Sequence, residues 1–231
     1  MITDAKKSIS FIENVLTKTG TVQAVRAWHT GGLYEADIHL PLVNMQQWKK
    51  VQHIKVRVAP YTFRDYTPFI IDATNNLCRL YIDAAHKGAG SRWIQSLQPG
   101  ATLHYLGVES ARQAPEGNEH MVLIGDQTAI GHFCALQQLA GNTTPISGAM
   151  ILTQQEWHAS FSNRLAQLPL TLFQRQSQLF ENFPTWLASL SFTKEPVFYV
   201  VGNSHMVVSV RKALREQGFS NGQIKAQGFW R

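Results

Sequence analysis

Apolar and polar positions change rhythm twice along the chain, and each change marks a different kind of structure. Over residues 4–17, Ile9, Phe11, Ile12, Val15 and Leu16 recur at helical spacing after a polar start, which predicts an amphipathic helix packed on the body. From Gly20 the spacing shortens to two. Residues 21–29 and 33–39 alternate apolar and polar around Thr30-Gly31-Gly32, a hairpin pattern, and further strands are predicted at 54–59, 62–67, 78–84 and 101–106. Several short strands with turn-rich joints predict a small antiparallel barrel. The segment Gln113-Ala114-Pro115-Glu116-Gly117-Asn118, polar and carrying both Pro and Gly, reads as a linker. Beyond it strands and helices alternate: strand 121–124, helix 128–139, strand 148–152, a helix over 172–190 interrupted by Pro184, strand 197–201 and helix 206–217. That order predicts a parallel sheet covered by helices, and hence two domains, 1–114 and 119–231.

Composition narrows the class. The 231 residues are 44% hydrophobic, enough for a sizeable core and too many for disorder. No apolar run approaches the roughly twenty residues of a membrane span. The N-terminal stretch is mixed and charged rather than signal-like, so a cytoplasmic location is expected. The net charge of +6 raises the question of nucleic acid. Its lysines and arginines are scattered, however, without a dense tract or interleaved aromatics, so small anionic ligands are the expected partners. Nine histidines lack metal-ligand spacing, and no G-x-S-x-G elbow occurs, so neither a metal centre nor a serine hydrolase is expected. Cys78 and Cys134 sit in apolar surroundings and read as buried free thiols.

Two segments carry the chemistry. Arg64-Asp65-Tyr66-Thr67 places an arginine that can pair with a phosphate two strand positions from a ring that can lie on a flavin face, with a hydroxyl beside it. His86-Lys87-Gly88-Ala89-Gly90-Ser91-Arg92-Trp93 runs from an apolar strand into a helix-like stretch from Ser91, so its backbone N–H groups can face a pyrophosphate. In order and spacing the pair resembles the R-x-Y-T and H-(x)n-G-P-A-S-x-W motifs of the siderophore-interacting proteins, a branch of the ferredoxin-reductase-like flavoproteins. Leu123-Ile124-Gly125-Asp126-Gln127-Thr128-Ala129 is similar to the turn that opens that family's second domain. Phe198-Tyr199-Val200-Val201-Gly202-Asn203-Ser204 and the terminal Gly228-Phe229-Trp230-Arg231 are similar to its last segments.

The resemblance implies an antiparallel Greek-key flavin-binding barrel followed by a Rossmann-like nucleotide-binding domain. It implies FAD held by Arg64, Tyr66, Thr67, Gly88, Gly90, Ser91 and Trp93, with Asp83 and His86 at the nucleotide end and Tyr66 and Thr67 at the reactive ring. It implies electron transfer to a ferric siderophore, with Lys55 and Arg231 as substrate contacts and NAD(P)H or reduced ferredoxin as donor. Two departures stand out: Phe69 replaces a second arginine, and the His86-to-Gly90 loop is short. At Gly125-Asp126-Gln127-Thr128 two readings stay open, a nicotinamide-nucleotide site and a strand-to-helix turn capped by Asp126 or Thr128. Two other functions also remain, a general NAD(P)H-dependent oxidoreductase with another acceptor and a non-enzymatic siderophore-binding module.

Overall fold

A computed structural model describes residues 16–28 and 32–230. The helix expected over residues 4–17 lies outside them save for its last two positions, as does most of the Thr30-Gly31-Gly32 turn and all of Arg231. The chain divides between Arg112 and Gln113 into two compact units.

Unit 1 is a seven-stranded antiparallel sheet. Its strands are β1 (Lys18–Trp28), β2 (Leu33–His39), β3 (Gln52–Ala59), β4 (Thr62–Tyr66), β5 (Pro68–Asp72), β6 (Leu77–Asp83) and β7 (Thr102–Ser110), in spatial order β4-β3-β7-β1-β2-β6-β5. The sheet is barrel-like but not closed, because its edge strands β4 and β5 do not pair with each other. Alternation sets the inside: Ile54, Val56 and Val58 of β3 join Ile38, Leu80, Ile82 and Leu103 in one core, against which helix α1 (Ala89–Ser96) lays Ile94. Cys78 lies in that core, and burial, reinforced by the nearby charge of Asp37, pushes its thiol up to about 12. Asp37 itself sits in a doubly paired position. Burial alone would raise its carboxyl, but Arg79 (2.6 Å) and Arg26 (2.7 Å) hold it below the usual carboxylate range.

Unit 2 is a parallel five-stranded sheet with helices. In chain order its elements are β8 (His120–Asp126), a 3-10 turn (Gln127–Ala129), α2 (Ile130–Ala140), β9 (Ile146–Ile151), α3 (Glu156–Arg164), β10 (Thr171–Phe173), α4 (Gln176–Ser189), β11 (Pro196–Asn203), α5 (Ser204–Glu216) and β12 (Ile224–Trp230). The sheet order is β10-β9-β8-β11-β12. Strand β8 is buried along its whole length, and α2 is buried from Ile130 to Leu136, as an all-apolar helix must be. No helix among the described residues is long and apolar enough to cross a membrane.

Several elements differ from the sequence reading. Strand 62–67 ends at Tyr66, and Pro68 opens a separate strand, β5, that pairs with β6; a proline lacks a donor and so suits this edge. The helix expected from residue 172 begins at Gln176, after Thr171–Phe173 has joined β9 as an edge strand. Pro184 does not interrupt α4. The proline gives up one backbone donor, and the burial of Leu179, Phe183, Trp186 and Leu187 carries the helix through. Helix α1 starts at Ala89 rather than Ser91. The linker segment is anchored in unit 2: the buried Gln113 side chain donates to the Lys225 carbonyl (3.1 Å) and bonds His132 (2.6 Å), and Lys225 pairs with Glu116 (2.7 Å). Just beyond it, buried Glu119 accepts from the Tyr199 hydroxyl (3.0 and 3.2 Å) and from the Glu116 N–H (3.0 Å).

Candidate functional site

In unit 1 the two sequence motifs meet. Strands β3 and β4 pair with Ile54 opposite Tyr66, Lys55 opposite Asp65 and Val56 opposite Arg64, so Arg64 and Tyr66 share one face of the ribbon. Helix α1 meets this face. The Trp93 ring stacks on Tyr66 at 5.8 Å between centroids and 21° between planes. A Cβ added at Gly90 would lie 2.5 Å from the Tyr66 hydroxyl and 3.8 Å from Arg64 Cγ, so only glycine lets the helix start come this close. Burial pushes the Tyr66 phenol far above its ordinary value, partly offset by Arg64, and the ring stays neutral. Arg64 is exposed, with Nη1 donating to the Phe63 carbonyl at 2.8 Å.

The start of α1 is open. Gly88 is the N-cap, makes no side-chain capping bond, and has open space where a Cβ would be. Its carbonyl accepts the Arg92 N–H at 3.2 Å, so the N–H groups of Ala89, Gly90 and Ser91 precede the first intrahelical bond. An uncapped first turn with an exposed arginine beside it favours an anion in both charge and backbone geometry.

The other implied residues divide. Thr67 is buried and its Oγ1 lies 3.2 Å from Nδ1 of His53, so its hydroxyl already has a partner that sequence reasoning missed. Burial holds His53 below the usual imidazole range, against the pull of Asp65 and Glu109, and leaves it neutral at pH 7. Lys55 lies on the opposite face of the ribbon from Arg64 and Tyr66. Its Nζ is held by both oxygens of Asp65, at 3.0 and 3.1 Å, so its charge is matched within the unit. The alternation His53-Ile54-Lys55-Val56-Arg57 carried this in the sequence, since it puts all three basic residues on the face away from the core. Asp83 and His86 form a local turn before α1. The Asp83 carboxylate accepts the Ala85 N–H at 2.9 Å and faces His86 Nε2 at 3.3 Å.

In unit 2 the strand order reverses between β8 and β11, and a helical turn starts at the carboxyl end of each. Asp126 caps the first start: Oδ1 accepts the Thr128 N–H (2.9 Å) and hydroxyl (2.5 Å), and Oδ2 accepts the Asn203 N–H (2.7 Å). Asn203 caps the second, its Oδ1 accepting the N–H groups of His205 (3.0 Å) and Met206 (3.1 Å). The strand-to-helix turn capped by Asp126 is thus observed.

An open antiparallel flavin-type barrel followed by a Rossmann-like α/β unit is the ferredoxin-reductase-like fold. Within that class, residues 118–231 match the family model of the siderophore-interacting proteins, the family that the sequence motifs resemble. Solved structures give the same fold over both units. The siderophore-interacting protein of Acinetobacter baumannii is 13% identical, with a TM-score of 0.74 over 93% of this chain and 90% of that one. SipS of Aeromonas hydrophila is 15% identical, with a TM-score of 0.71 over 93% and 91%. A ferredoxin NADP+ reductase of Neisseria gonorrhoeae with bound FAD and NADP is 15% identical, with a TM-score of 0.68 over 94% and 98%. No curated protein sequence matches the chain.

Proposed function

We propose that the chain is an FAD-dependent reductase that passes electrons inside the cell to a ferric siderophore, so that iron leaves as Fe(II). The observation that carries this reading is the meeting of Arg64, Tyr66 and Trp93 with the uncapped α1 start at Gly90. The residues fit the cofactor: Arg64 and the N–H groups of Ala89, Gly90 and Ser91 would hold its pyrophosphate, and the Tyr66 ring, braced by Trp93, would lie along the isoalloxazine. When bound, FAD would supply one- and two-electron transfer. Thr67 would stand at the ring's reactive edge with its proton held toward or away from it by neutral His53. Asp83 and His86 would close the nucleotide end as one turn. Hard oxygen ligands hold Fe(III) far better than Fe(II), so one electron per iron loosens the chelate and no protein ligand to iron is required. The substrate contacts proposed are Lys55, shared with Asp65, and Arg231.

The family match supports the siderophore side of this reading, and the fold shared with a reductase holding FAD and NADP supports the flavin side. The test is the absorbance spectrum of freshly purified protein and the identity of the cofactor released from it. Two visible flavin bands and released FAD are expected, and Arg64→Ala should weaken retention by a charge-assisted contact of about 1.5–3 kcal/mol. Colourless protein that takes up no FAD in titration would overturn the flavin assignment. Reduced holoenzyme reoxidised no faster by a ferric catecholate than by buffer would overturn the siderophore assignment alone.

A further inference from the structure

Where the chain enters unit 2, the Tyr199 phenol oxygen on β11 lies 3.0 Å from the Ala114 carbonyl and 3.0 and 3.2 Å from the two oxygens of Glu119. Glu119 and Tyr199 are 2% and 0% exposed. Among the described residues, neither side chain nor the Ala114 carbonyl hydrogen-bonds any other group, except that Glu119 Oε1 accepts the Glu116 N–H at 3.0 Å. A phenol has one hydrogen to give. With Glu119 ionised, that hydrogen goes to the carboxylate and leaves the Ala114 carbonyl facing a lone pair at 3.0 Å, or it goes to Ala114 and leaves a buried carboxylate facing the lone pair instead. With Glu119 protonated, Oε2–H donates to Tyr199, Tyr199 donates to Ala114, and Oε1 accepts from Glu116, so every group has a partner.

The charges around Glu119 do not offset its burial. Glu116 on its own loop and Lys225 on β12 pair with each other at 2.7 Å, Tyr199 is the titratable group on β11, and His120, next in the chain, faces Ser147 and Thr193. Burial, helped by the Glu116 charge, raises the Glu119 carboxyl above the ordinary carboxylate range, against the bonds from Glu116 and Tyr199 and the charge of Lys225. We propose that Glu119 is a proton-operated latch on the segment by which the chain enters unit 2: protonated, it hands a hydrogen to Tyr199, which then holds the Ala114 carbonyl, and ionised, it takes the tyrosine hydrogen and releases Ala114. The latch is closed at acidic pH and opens as pH rises through the native-state titration of Glu119. Its groups all belong to unit 2, so it is independent of the flavin and of the electron acceptor.

The experiment is a carbon-13 NMR titration of the protein, labelled at alanine carbonyls and glutamate carboxyls, from mildly acidic to mildly alkaline pH. The Ala114 signal is identified by its loss in Ala114→Ser and the Glu119 signal by its loss in Glu119→Gln. In the wild type the Ala114 carbonyl should move upfield, as a carbonyl losing a hydrogen bond does, with the same midpoint as the Glu119 carboxyl. That midpoint should lie above the ordinary carboxylate range. Glu119→Gln, whose amide can donate to Tyr199 at every pH, should hold the Ala114 signal at its acidic position throughout. Tyr199→Phe should hold it at the alkaline position, and either variant carries the test if circular dichroism shows that the other has not folded. A Glu119 carboxyl that does not titrate in this range, one that titrates without moving Ala114, or an Ala114 shift that persists in Glu119→Gln would overturn the proposal.

Discussion

Two helix starts in this molecule face opposite requirements, and their residues show it. At α1 in unit 1 the N-cap is glycine, no side chain bonds the first turn, and an exposed arginine stands beside it. At the ends of β8 and β11 in unit 2, Asp126 and Asn203 hand their oxygens to the N–H groups that a ligand would otherwise take. The same backbone device, a helix start with N–H groups ahead of its first bond, is thus left without a side-chain cap in one unit and self-satisfied in the other. The lesson is that a binding cradle is read less from the glycines present than from whether the chain has supplied its own anion.

The sharpest way to break the contrast is to give α1 a cap of the unit 2 kind. Gly88 has φ −86° and open space at the Cβ position, so Gly88→Asp fits without strain. The expected result is a protein that is no less stable, gaining a few tenths of a kcal/mol from the better cap, yet retains FAD at least about tenfold more weakly. Equal retention by equilibrium dialysis would remove α1 from the phosphate site.

A smaller effect is expected in unit 2, where Glu119 is satisfied internally but at a cost. Burial raises its carboxyl, against the hydrogen bonds from the Glu116 N–H and Tyr199 hydroxyl that lower it. A folded-state value above the unfolded one means that the native state holds the proton longer, so this group's contribution to stability falls as pH rises above the ordinary carboxylate range. Glu119→Gln should remove that fall. The melting temperature of the variant relative to wild type should therefore climb from mildly acidic to mildly alkaline pH, and a constant difference would contradict the assignment.

The smallest effect is expected at Lys55. Its pair with Asp65 is partly exposed, on the ribbon face away from Tyr66, and such pairs contribute about 0–1 kcal/mol. Lys55→Ala should leave flavin retention unchanged and raise the apparent KM for an anionic ferric chelate only modestly. The increase should shrink further in salt. A large KM increase with Asp65→Asn behaving oppositely would show that the ion pair opens to receive substrate.

Local chemistry was the legible part of this sequence. The R-x-Y-T strand and the glycine-rich start of α1 are each contiguous, and period-two alternation placed Arg64 and Tyr66 on one face as observed. What stayed hidden is long-range. The Asp126 carboxylate meets the N–H of Asn203, 77 positions on, and Thr67 meets His53 across a strand pair; no local pattern announces either. Prolines were a second source of error. Pro184 was read as a helix break, where core burial outweighs the lost donor, and the strand expected over 62–67 gave no sign of the new edge strand that Pro68 begins. Residues 113–118 read as a tether from their composition, yet Gln113 is committed to partners on α2 and β12 that only the fold brings near.

Cys78 has a consequence for the life of such a molecule. With its thiol pushed up to about 12 by burial, Cys78 stays protonated at pH 7. Peroxide attacks the thiolate, and reduced flavins exposed to air make peroxide. The sulfur in the core of unit 1 is therefore kept in its chemically inert form, which would spare the barrel from the peroxide that a bound reduced flavin would make.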